Sequence, residues 1–102
     1  MLRNYFNTAQ LLTGNTGAAT GEWIQIKKRG GENLFTVYAN GSGVVDLEYK
    51  SPFFDEGIVF YSVSITGSGY ADPLYSTSPF GEIRATSYGT GRFWAAVTYQ
   101  NM

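Results

Sequence analysis

Apolar residues recur along this chain mainly at every second position, the period of a strand with one buried face. The cleanest stretch is Val44 to Lys50. Val45, Leu47 and Tyr49 point one way, and Asp46, Glu48 and Lys50 the other. Asn33 to Ala39 alternates Phe35, Val37 and Ala39 against Leu34, Thr36 and Tyr38. Both of its faces are fairly apolar, as in a central strand. Glu22 to Lys28, Ile58 to Thr66, Phe80 to Ser87 and Arg92 to Tyr99 complete a set of six strands. A short edge strand around Leu74 and Tyr75 would raise the count.

Glycine punctuates the pattern. Asn40-Gly41-Ser42-Gly43 and Tyr88-Gly89-Thr90-Gly91 carry the chemistry of tight hairpins, because Asn-Gly readily takes positive φ. Gly67 to Pro79 is rich in turn residues, and so long a loop in a small domain often serves function. Strand starts fall about 10–14 residues apart, the rhythm of an all-β antiparallel sandwich. The expectation is a jelly-roll-like or Ig-like β-sandwich of about 6–8 strands. Val45, Leu47, Val63, Ile83, Ala85 and Val97 should form its core.

Residues 1–20 stand outside this rhythm. Leu2, Tyr5, Phe6, Ala9 and Leu12 recur at intervals of three and four, which predicts a turn or two of helix. Thr13 to Gly21 adds little but Gly, Thr and Ala. The expected organisation is an N-terminal arm over 1–20 and a sandwich over 21–102. Solvated tails usually lack large apolar residues, so the arm is expected to dock on a neighbouring chain through Leu2, Tyr5, Phe6, Leu11 and Leu12.

Composition narrows the chemistry. At 43% hydrophobic and 15% charged residues, the chain folds rather than staying disordered. Seven basic against eight acidic residues give a net charge of −1, without the basic surplus of a general nucleic-acid binder. Lys27-Lys28-Arg29 is the single basic run and reads as a solvated strand end. The chain contains no Cys and no His, which removes thiolate nucleophiles, disulfides, the commonest general base and the commonest metal ligand. No apolar run approaches the length of a membrane-spanning helix. The first residues also lack the apolar stretch of a signal peptide.

Catalysis would then fall to paired carboxylates. Asp46 and Glu48 lie about 7 Å apart by strand rise, but on a wet face beside Lys50. Asp55-Glu56 sits in a turn without the ligand pattern that Ca²⁺ needs. No catalytic residue, metal site or cofactor is expected. Thirteen glycines and 17% aromatic residues are the positive signals. Trp23, Tyr38 and Trp94 alternate away from the aliphatic faces, where aromatics either pack or meet a ligand.

Several segments carry a family likeness. They are Thr16 to Gly21, Leu34-Phe35-Thr36-Val37-Tyr38-Ala39, the Gly43-Val44-Val45-Asp46-Leu47-Glu48 strand, Ile83-Arg84-Ala85, and the Tyr88-to-Thr98 segment that ends the pattern. Over residues 16–100 the chain resembles the small β-sandwich virion proteins of tailed bacteriophages. That resemblance implies a non-enzymatic capsid decoration (cement) protein, or else a tail, head-fibre or neck module. The implied partner is the major capsid protein, with self-association as a homo-oligomer, a trimer before a dimer. The implied location is the capsid surface of the virion, with no nucleic acid or membrane partner. The Pro52 to Gly57 loop departs from the family's polar turn, since Phe53 and Phe54 make it stickier.

The expected protein interface therefore joins the arm to Phe53, Phe54, Tyr70, Leu74 and Tyr75. The alternative function is a carbohydrate- or receptor-binding module of a tail or fibre, with Trp23, Trp94 and the 67–79 loop facing a glycan.

Overall fold

Alternation with a wet face and a dry face makes a strand useful only as part of two stacked sheets, and that is what forms. The computed structural model describes residues 5–26, 32–76 and 81–101. Ten strands run in chain order: β1 (Tyr5–Thr16), β2 (Ala19–Thr20), β3 (Ile24–Gln25), β4 (Asn33–Asn40), β5 (Gly43–Lys50), β6 (Gly57–Ile65), β7 (Ser68–Tyr70), β8 (Leu74–Ser76), β9 (Glu82–Gly89) and β10 (Arg92–Asn101). All of their pairings are antiparallel.

The first sheet has the order β1-β10-β4-β7, with β8 also on β4. The second has the order β2-β9-β5-β6, with β3 also on β9. β7 and β8 pair successive stretches of β4, and β2 and β3 successive stretches of β9. Each sheet thus has four strand lines, one of them broken. Numbered along the chain, the lines read 1-8-3-6 and 2-7-4-5. That order is a jelly roll rather than an Ig sandwich.

In this topology the chain changes sheet from each strand line to the next except from β5 to β6. The two expected hairpins are therefore arches between sheets: Asn40-Gly41 leads from β4 to β5, and Gly89-Thr90-Gly91 from β9 to β10. Local chemistry set the positive φ of Gly41 (117°) but not the strand's partner, which long-range pairing decides. Gly17, Gly41, Gly67 and Gly89 mark four such crossings, each at positive φ. The crossings lie side by side at one end of the sandwich. The Gly17 N–H donates to the Gly91 carbonyl, Thr90 to Ser42, and Gly41 to Gly67, at 3.0, 3.2 and 2.9 Å.

Phe35, Val37, Ala39, Phe93, Ala95 and Val97 face Val45, Leu47, Ile83 and Ala85 across the core. The expected core residues are there, with Val63 half-buried against its margin.

The N-terminal segment is not an arm. β1 pairs with β10 along its whole length, from Tyr5 opposite Asn101 to Thr16 opposite Arg92. Gln10 pairs with Ala96 and Leu12 with Ala95, so Leu11 is the extra residue of a β-bulge. The bulge brings Leu11 and Leu12 into the core together, at 4% and 2% exposure. That doubled leucine broke the period of two and imitated a helical one. The domain's own edge covers these leucines, so they form no interface. Leu2, the basic run 27–29 and residues 77–80 lie outside the described residues.

Candidate functional site

Among the described residues the turn between β5 and β6 is the one local hairpin, and it holds two phenylalanines in water. Ser51 is buried, and its Oγ accepts hydrogen bonds from the N–H groups of Phe53 and Phe54, both at 3.1 Å. The Ser51 N–H donates to the Glu56 carbonyl at 2.9 Å, and the Glu56 N–H to the Phe54 carbonyl at 2.9 Å. Asp55 stands 3.8 Å from Lys50, an exposed ion pair of small value. With the backbone tied this way, Phe53 is 84% and Phe54 69% exposed. Ile58 and Val59, the next residues up β6, are exposed as well. Burying a Phe is worth roughly 1.5–3 kcal/mol, and this fixed loop leaves two of them as an apolar patch in solvent.

Ser51 and Pro52 also border a cavity of about 1020 Å³ between the sheets. Tyr49 and Phe60 form its apolar wall, and Leu74 and Tyr75 of β8 its far side. Leu74 is half-buried against the core, whereas Tyr75 is exposed. Phe53, Phe54 and Tyr75 thus belong to one end of the molecule, opposite the glycine arches.

Tyr70 belongs elsewhere. It faces Tyr38, which faces Trp94, in direct register across β7, β4 and β10. The ring centroids are 4.8 Å apart between Tyr38 and Tyr70 and 5.4 Å between Tyr38 and Trp94, both tilted. Alternation turns all three away from the core, on the outer face of the first sheet. Below the row lie small residues, Ala96 opposite Thr36. The resulting trough of about 310 Å³ also touches Gln10 of β1. A second irregularity of β1, at Gly14 with φ of 93°, makes room for the indole, since a Cβ there would fall 3.0 Å from the Trp94 ring.

Trp23 does not join Trp94. Its ring lies 4.4 Å from the Arg84 guanidinium, on the outer face of the other sheet. Arg84 Nη2 reaches Glu48 Oε1 at 3.4 Å, and the Thr86 hydroxyl donates to Glu48 Oε2 at 2.6 Å. Glu48 is only 8% exposed. Asp46 accepts a hydrogen bond from the Ser62 hydroxyl at 2.6 Å. These carboxylates hold the sheet together, and the alternative reading in which Trp23 and Trp94 face one glycan gives way to two tryptophans on opposite faces. Alternation set Tyr38 and Trp94 apart from the aliphatic faces without deciding between packing and ligand contact, and it missed their alignment with Tyr70. That alignment depends on β7 pairing with β4 across a long stretch of chain.

No protein-family model matches the sequence, and no curated protein matches it. Among solved structures the fold does recur. The chain is similar to SPBc2 prophage-derived protein YomS, with a TM-score of 0.71 and 10% sequence identity over 99% of this chain and 97% of that one. It is also similar to PirA, with a TM-score of 0.51 and 12% identity over 99% and 97% of the two chains. At such identities the likeness is one of fold.

Proposed function

We propose that this chain is a non-enzymatic virion structural protein of a phage or prophage, a capsid decoration protein that binds and stabilises the major-capsid shell. The observation that carries this reading is the Ser51-pinned loop with Phe53 and Phe54 in solvent. A rigid apolar tip loses little entropy on docking and fits a complementary hollow on a protein partner. The fold shared with a prophage-derived protein supports a phage setting. A net charge of −1 leaves little repulsion between copies, which suits a homo-oligomer, a trimer before a dimer, on the virion surface. Several copies on a symmetric shell gain effective concentration at each contact.

The test is co-sedimentation of the purified protein with expanded empty shells of its phage. The parent should pellet with the shells. The double variant F53S/F54S should remain folded and stay in the supernatant. Equal binding by parent and variant would remove the loop from the interface, and no binding by the parent would remove the decoration role.

A further inference from the structure

The outer face of the first sheet carries a second surface whose chemistry differs from that of the loop. Tyr70, Tyr38 and Trp94 form a continuous strip of tilted rings three strands wide. Tyr70 is 75% exposed, so the strip opens to solvent at the β7 side. Ala96 and Thr36 keep the adjacent floor low, and Gln10 closes its far side.

Two properties of this trough select its occupant. First, among the described residues no Asp, Glu, Lys or Arg lines it. Arg92, the nearest charge along β10, stands two positions beyond Trp94, opposite Asn40. A phosphate backbone or an acidic peptide finds no counter-charge here. Second, the polar groups at the trough are uncommitted. Among the described residues no hydrogen bond engages the Gln10 amide, the Thr36, Tyr38 and Tyr70 hydroxyls or the Trp94 indole N–H. A dry apolar partner would strip water from these groups and return nothing, at a cost of about 1–3 kcal/mol each. A sugar ring returns it: its C–H face lies on an aromatic ring while its hydroxyls reach amide and hydroxyl groups at the side.

We infer that the Tyr70–Tyr38–Trp94 strip, with Gln10 and Thr36, is a binding site for a neutral oligosaccharide. The site is separate from the Phe53–Phe54 loop and does not depend on the decoration role.

A glycan array holding neutral and anionic oligosaccharides tests it, followed by titration of the retained glycan with isothermal calorimetry as the readout. Neutral glycans should be retained. Y70A and W94A should each weaken binding by about tenfold or more, the loss of one ring contact. W23A, on the opposite face, and F53S/F54S should bind like the parent. Y70A in turn should co-sediment with shells as the parent does, so the two surfaces fail or succeed separately. Should W94A fold poorly, the exposed Tyr70 decides alone. Retention of no neutral glycan overturns the assignment, as does retention of anionic glycans only. Undiminished binding by Y70A overturns it too.

Discussion

Gly41 and Gly91 pack backbone against backbone, and a Cβ placed on Gly41 would fall 2.6 Å from the Gly91 Cα. Neither arch can yield, because each is hydrogen-bonded to the next crossing in the row. Gly41→Ala combines an unfavourable positive φ with this clash, and should cost about 2–4 kcal/mol. Gly67 also has positive φ, but its Cβ would meet nothing within 4 Å. Gly67→Ala should therefore cost only about 1 kcal/mol. Thermal melts of both variants separate strain from collision. Equal shifts would show that the arches do not interlock.

β1 is part of the folding unit. Leu12→Ala should destabilise by about 2–5 kcal/mol, as a leucine lost from a packed core does. Deleting residues 1–12 removes most of the edge partner of β10 and both buried leucines. The truncated chain should be unfolded or aggregated, as seen by near-ultraviolet circular dichroism. A truncated protein that folds and stays soluble would return these residues to the role of an arm.

Much of the architecture was legible in the period of two. β4, β5, β9 and β10 carry it cleanly, and their inward residues make up most of the core. It failed where the backbone carries an extra residue. At Leu11 the bulge in β1 turns two successive leucines inward, and at Phe60 one in β6 sets Val59 outward opposite Glu48 although alternation places it with Tyr61. Asn40-Gly41 failed differently, since its sequence fixes the dihedral angles of a turn and not the sheet that receives the next strand. The Phe53–Phe54 loop was legible because two adjacent phenylalanines beside Pro52 interrupt an otherwise polar turn. The Tyr70 row was not, because its partners are distant in sequence.

Glu48 is the electrostatic anchor of the second sheet. Glu48→Ala leaves Arg84 without its carboxylate under the Trp23 ring and should cost about 3 kcal/mol. Glu48→Gln keeps an acceptor for the Thr86 hydroxyl, and its cost should be nearer 1 kcal/mol. Urea denaturation measures both. Equal costs would mean that the carboxylate charge, and not the hydrogen bond from Thr86 or the packing, carries the whole contribution.

Ser51→Ala removes the acceptor that both phenylalanine N–H groups share. The expected loss is about 1 kcal/mol of stability. Shell binding should weaken as well, since the freed loop must be ordered again on docking. F53S/F54S, by contrast, touches no buried contact and should change stability by no more than about 0.5 kcal/mol. A large drop in melting temperature for that variant would place the two rings in the core after all.

The pairing of β1 with β10 ties together the earliest and the latest of the ten described strands to leave the ribosome. During synthesis β1 has no partner, and the first sheet stays incomplete until β10 emerges. Folding of this unit thus waits for β10 and closes one long loop, and topologies of this kind fold slowly. Until then Leu11 and Leu12 remain exposed on the growing chain, and a chaperone that recognises short apolar segments would meet them first.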